Sequence, residues 1–271
     1  MSGAEITFLD DEGYAEDTEA DCWRCGRLYA LDAPACPACR APRVRSAQPP
    51  KHRAERSGLV RVLAVFAVLL ATSIVHRVVA LAAMGAGPPG PAAIGTQLDI
   101  VIGVEVFDAV LVVAALFWIP RPPRPPRRGL GRRLGAWALA LPLLAGALAI
   151  NVVYHAWVRD QLQVPQVDDE VLAAFGWTPR VIFAYCVQPA FIEELFFRHL
   201  ALDTLGESTG PHASVFISST MFALAHLGAP LSMPVLFVIG MSLGYARLAG
   251  GGLLVPMAMH AAHNAIVMSL N

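Results

Sequence analysis

The chain has 271 residues, of which 56% are hydrophobic and only 15% charged, with mean hydropathy +0.54 and a formal net charge of -1. Soluble domains carry about 25% charged residues, so this composition excludes an ordinary soluble fold and points to the lipid bilayer. The near-neutral total conceals an acidic N-terminus followed by basic segments, and it gives nucleic-acid binding no support.

Residues 1–20 hold Glu5, Asp10, Asp11, Glu12, Glu16, Asp17 and Glu19 with few large apolar groups, and read as a disordered acidic tail. No charged n-region, short apolar stretch and small-residue cleavage site open the chain, so no removable signal peptide is expected. Across 21–40, Cys22-Trp-Arg-Cys25 and Cys36-Pro-Ala-Cys39 form two CxxC pairs separated by ten residues. Two tight turns of this kind converge four thiolates on one tetrahedral ion, which predicts a small zinc ribbon with Cys22, Cys25, Cys36 and Cys39 as structural zinc ligands. The ribbon suits either docking of an unidentified partner or a plain folded cap. Residues 41–57, with Arg43, Arg45, Lys51, Arg53 and Arg56, read as a basic linker to the membrane.

From 58 to 271 the chain reads as an all-α polytopic membrane domain. A crossing helix needs roughly 20 apolar residues at ~1.5 Å each, and about seven segments approach that length: 59–84, 97–119, 134–155, 181–203, 212–228, 232–248 and 252–270. The fifth and sixth are the shortest. Arg121, Arg124, Arg127, Arg128, Arg132 and Arg133 crowd the connection after the second segment, whereas 85–96 has no Lys or Arg. The positive-inside bias therefore puts the N-terminus in the cytoplasm of a multi-pass protein of the cell, or inner, membrane. A reducing compartment favours metal ligation over disulfides at the four head cysteines.

An ionisable side chain at the centre of a membrane helix costs roughly 2.5–3.5 kcal/mol on insertion scales and so calls for a partner or a purpose. The fourth segment carries Glu193, Glu194, Arg198 and His199 within one apolar run. Glu194 and Arg198 are i and i+4 and can pair on one face, while Glu193 is rotated about 100° away and faces something else. Glu193 is thus the better general base, against the bland alternative of a structural salt bridge that would leave it unexplained. Phe222-Ala-Leu-Ala-His226 lies on the fifth segment and His260-Ala-Ala-His263-Asn264 on the seventh. At ~1.5 Å per residue from a shared cytoplasmic face, Glu193, His226 and His260 fall at roughly 16, 21 and 14 Å depth, close to mid-membrane.

A carboxylate beside an imidazole can hold a water and remove its proton as it attacks a carbonyl. A His N–H and an Asn amide one helical turn apart can both donate to the resulting oxyanion. These groups suit hydrolysis of an amide bond by activated water. Two alternatives stay open: Glu193, His226 and His260 as ligands of a catalytic zinc, or the same groups as an ion pathway or inactive immunity-type binder. The lack of a His-Glu-x-x-His element weighs against zinc, and the lack of paired halves against a transporter. Glu105 and Asp108, i and i+3 in the second segment, are secondary candidates to face the site. Cys186 has no evident local base and reads as core, while His76 and Arg77 receive no role.

Glu193-Glu194-x-x-x-Arg198, Phe222-x-x-x-His226 and His260-x-x-x-Asn264, in that order on successive helices, resemble the three motifs of the CAAX protease and bacteriocin-processing (CPBP, or Abi) family. The resemblance spans about 180–270 and implies a glutamate-dependent intramembrane endopeptidase acting on a peptide or protein substrate without a catalytic metal. It implies that Glu193 and His226 activate water, that His260 and Asn264 bind the oxyanion, and that Glu194 and Arg198 shape the site. Eukaryotic relatives cleave the last three residues from prenylated CaaX proteins; extending that substrate to this chain rests on analogy.

Overall fold

The computed structural model describes residues 19–21, 27–30, 33–39, 51–84, 91–120, 129–162 and 168–270. Two compact units divide the chain, Met1–Pro49 and Pro50–Asn271.

In the first unit, strands β1 (Glu19–Asp21) and β2 (Leu28–Ala30) pair antiparallel, with Ala20 opposite Tyr29. The strand starts inside the stretch expected to be an acidic tail, because Glu19 and Ala20 gain a partner in β2. Tyr29 and Cys36 are buried against each other, with Ala33 and Cys39 packed alongside. Cys22 and Cys25 lie outside the described residues, in the chain between the two strands. Residues 1–18 of the tail expected to be disordered over 1–20, and the Arg/Pro connection at 121–128, lie outside them as well.

Every regular element among the described residues of the second unit is a helix. Helix α1 (Lys51–Met84) takes in the last seven residues of the expected linker and is followed by α2 (Pro91–Trp118) and α3 (Leu130–Leu162). A short helix, α4 (Asp168–Phe175), occupies a stretch for which the apolar pattern predicts no element. It packs Val171 and Phe175 against Ile94 and Leu98 of α2, a tertiary contact too small to leave a hydropathy signal. Next comes one unbroken helical run, α5 (179–209), in which ordinary α-turns alternate with π-turns at Phe183–Val187 and Glu194–Ala201. Thr178 opens it, its side chain accepting from the Val181 amide ahead of Pro179. Gly210, at φ 80°, reverses the chain into α6 (Pro211–Ala225), which is joined through 226–232 to α7 (Met233–Gly250) and then to α8 (Leu254–Leu270).

Four of the seven expected crossings meet the length and hydropathy criterion by themselves. Among the described residues, four stretches are long and apolar enough to cross: Ser57–Val79, Ile94–Trp118, Leu130–Leu162 and Pro230–Gly250. Helix α8 is apolar but shorter, α6 has only 15 residues, and α5 is interrupted by its own charged groups. An all-α integral membrane protein is what these four spans establish.

Helices α6 and α7 pack closely because two glycines of α7 face α6. A Cβ on Gly244 would stand 2.8 Å from Val215 Cγ1, and one on Gly240 would stand 3.0 Å from Ser219 Cβ. This approach opens the Gly240 carbonyl to the centre of the bundle, where Phe196, Phe197, Phe222 and Leu243 form the core around α5.

Candidate active site

The charged residues of α5 separate into two sets by burial. Glu194 and Arg198 are sealed, at 0% and 1% exposure, with Glu194 Oε1 3.1 Å from Arg198 Nη1. Arg198 also donates through Nη2 to the Gly240 carbonyl at 3.2 Å, and its guanidinium lies 4.6 Å from the centre of the Phe222 ring. Glu193, one residue earlier, keeps 22% of its side chain exposed and His226 31%. The i, i+4 pair therefore supports the fold, while the residue rotated away from it is the reachable one.

The π-turn beneath this pair is held from outside. A π-turn bonds i to i+5 and is seldom stable in isolation, which is why such turns occur where neighbours compensate. Ser218 Oγ donates to the Phe197 carbonyl at 2.7 Å, and Arg247 Nε donates to the Arg198 carbonyl at 3.2 Å. Arg247 continues to Asp203 at 2.7 Å, and Asp203 accepts from His199 Nδ1 at 3.1 Å. Neither Arg247 nor Asp203 stood out in the sequence; the signal available was a cation in the last turn of an apolar helix and an acid one turn after His199.

Glu193, His226 and His260 come together from three helices. Glu193 Oε1 lies 3.8 Å from His226 Nε2, and Oε2 lies 3.9 Å from His260 Nε2. His226 sits where α6 ends, and its Nδ1–H donates to the Phe222 carbonyl at 2.8 Å. A carbonyl only accepts, so this bond puts the proton on Nδ1 and leaves Nε2 as an acceptor facing Glu193. His260, on α8, donates its Nδ1–H to Glu194 Oε1 at 3.1 Å. Phe222 packs edge-on against the His260 ring, with centroids 5.8 Å apart.

Asn264, one turn further along α8, does not join this trio by a direct bond. Its Nδ2 donates to the Tyr185 carbonyl on α5 at 2.9 Å, and its Oδ1 lies 3.3 Å from His263 Nδ1. His263 Nε2 in turn lies 3.2 Å from Asn151 Nδ2 on α3, and both side chains are buried. Neither His263 nor Asn151 was given a role from sequence, although Asn151 is a lone amide in an apolar segment. On α2, Glu105 and Asp108 lie close enough to Glu193 for the three charges to interact. Gln188 Nε2 ties α5 to the Glu105 carbonyl at 2.6 Å. Among the described residues, no group of three His, Cys, Asp or Glu side chains is arranged to hold a metal ion.

The Glu193, His226, His260 and Asn264 part of this geometry lies within a segment that resembles known proteins. Residues 175–266, about a third of the chain, match the family described as type II CAAX prenyl endopeptidase Rce1-like. This segment belongs to the CAAX protease family. The match includes Glu193, Glu194, Arg198, His226, His260 and Asn264, and hence every charged or amide group of the CAAX-protease motifs. No curated protein and no solved structure matches the chain. The CAAX-protease segment also holds Tyr185, Gln188, Asp203, Arg247 and His263, whereas Glu105, Asp108 and Asn151 come from helices outside it.

Proposed function

We propose that this protein is an intramembrane endopeptidase that hydrolyses a peptide bond by water held between Glu193 and His226. The observation that carries the proposal is the gap of 3.8 Å between Glu193 Oε1 and His226 Nε2. It is too long for a direct hydrogen bond and suits one oxygen bonded to both groups. Both atoms are acceptors, so they take the two hydrogens of one water and direct a lone pair outward. As that oxygen attacks the carbonyl carbon, Glu193 receives the proton and then returns it to the departing amine, giving a free carboxylic acid and a free amine.

The oxyanion formed in that step needs donors. His260 can serve only with a proton on each ring nitrogen, because its Nδ1–H is committed to Glu194. Glu194, itself paired with Arg198, is the fixed negative partner for such an imidazolium. Asn264 has two amide hydrogens and uses one on Tyr185, so the second is available to the oxyanion.

The family match supports a membrane-associated protein substrate of the CaaX type, and the arginines crowding 121–133 support a cytoplasmic N-terminal unit. The test uses protein reconstituted in liposomes and offered prenylated and unprenylated C-terminal peptides, with new termini read by mass spectrometry. Cleavage should depend on Glu193 and survive exhaustive chelation in a background where the head cysteines are replaced. Loss of cleavage on chelation there would establish the zinc-dependent chemistry instead, and an uncleaved peptide with an intact proton or ion flux would establish the transport reading.

The N-terminal unit fits a structural zinc in the half of its donor set that is described. Cys36 is buried and Cys39 packs beside it on a paired-strand scaffold, and small ribbons draw their stability from the metal. Full-length protein should carry one zinc per chain, and Cys36→Ser with Cys39→Ser should lose it, by elemental analysis.

A further inference from the structure

A single chain of hydrogen bonds runs from α3 through α8 to α5, and the carbonyl at its end fixes the direction of every link. The Tyr185 carbonyl can only accept, so Asn264 must present its NH2 to it. The Asn264 oxygen then faces His263, which must carry its proton on Nδ1. His263 Nε2 is left as an acceptor and takes a hydrogen from Asn151 Nδ2. From these links we infer that Asn151 and His263 are positioning residues, which hold the Asn264 amide in the one orientation that keeps an N–H free for the reacting carbonyl oxygen.

The physical need for such a device lies in the symmetry of an amide. Rotating the Asn264 side chain by half a turn exchanges Oδ1 and Nδ2 at little steric cost. It would turn an acceptor toward the developing oxyanion and set two oxygens against each other at Tyr185. A donor fixed on Oδ1 opposes that rotation, and His263 supplies it. An imidazole can itself change tautomer, and the Asn151 donor on Nε2 opposes that change in turn. An Asn–His bond between two membrane helices can be simple helix glue of small worth. Glue would require no direction, whereas here the direction propagates through three side chains to an atom of the proposed oxyanion site.

This inference rests on the peptidase proposal for its purpose, and its test has one arm that does not. Nitrogen-15 NMR of histidine-labelled full-length protein, with His263 assigned from the His263→Gln variant, should find the His263 proton on Nδ1. A proton on Nε2 would overturn the relay whatever the protein catalyses. In the kinetic arm, Asn151→Leu and His263→Leu should each lower kcat by up to about 100-fold with KM little changed, the scale of a misplaced catalytic group. His263→Gln, which keeps one donor and one acceptor, should recover most of the loss. Adding His263→Leu to Asn264→Ala should produce no further fall, since the group it positions is already gone. Losses that multiply in the double variant would overturn the relay. Failure of the peptidase proposal would look different: cleavage that is absent from the wild type, or indifferent to Glu193, alongside an Nδ1–H tautomer.

Discussion

Glu193→Gln should leave a folded protein whose turnover falls by two to four orders of magnitude, about the contribution of a positioned general base. Glutamine matches glutamate in volume and still accepts a hydrogen bond from water, but it cannot take the proton that the attacking oxygen must lose. The imidazoles of His226 and His260 stand 3.8 and 3.9 Å from the Glu193 carboxylate, beyond direct hydrogen-bond contact. Little native interaction is therefore removed, and the melting temperature in detergent should stay close to the wild-type value. The matched control is Glu194→Gln, which changes the same functional group one residue along. Glu194 holds both Arg198 and His260, so its loss should reduce stability and turnover together. Wild-type turnover by Glu193→Gln would remove Glu193 from the chemistry. Equal behaviour of the two variants would show that the division into a reachable and a sealed carboxylate carries no functional meaning.

How far the sequence anticipated this site follows from the range of the interactions that build it. The Glu194–Arg198 pair is local, an i, i+4 contact on one helix, and spacing alone predicts it. That Glu193 points elsewhere follows from the same geometry. The meeting of Glu193, His226 and His260 required only the lengths of three helices and their alternating direction, because a bilayer fixes the depth of each residue. The π-turn at Glu194–Ala201 could not be read in this way. Its carbonyls are capped by Ser218 and Arg247, which lie 21 and 49 residues away, and no local pattern in α5 encodes them. The link from Asn151 to His263 spans 112 residues and is equally invisible to spacing. The bonds from His260 to Glu194 and from Asn264 to Tyr185 depend on rotations of whole helices that an apolar sequence leaves unspecified. The expected segments 181–203, 212–228 and 252–270 do not meet the length and hydropathy criterion by themselves, for a related reason. Charged and short segments inside a bundle are stabilised by each other, so being apolar enough to cross alone is not the criterion they meet.

Arg198→Ala should have the largest effect on folding, destabilising the protein by about 3–5 kcal/mol, the range for stripping one member from a buried ion pair. Three interactions leave with the guanidinium: the Glu194 contact at 3.1 Å, the Gly240 carbonyl bond at 3.2 Å, and the stacking over Phe222 at 4.6 Å. The Glu194 carboxylate then remains sealed without its cation, and the Gly240 carbonyl loses its side-chain donor. Arg198→Lys should recover only part of the loss, since an ammonium lacks the planar fork that reaches both oxygens and covers the ring. The decisive variant is the double substitution Glu194→Gln with Arg198→Met, which removes both charges and keeps similar volumes. Denaturant unfolding in detergent should find it more stable than Arg198→Ala, because no uncompensated charge remains. Its turnover should stay low, because His260 no longer has an anion opposite Nδ1 to hold it as a double donor. Recovery of stability without recovery of turnover would separate the two duties of the sealed pair; recovery of both would mean that the pair only holds the helices, and that His260 reaches the oxyanion without it.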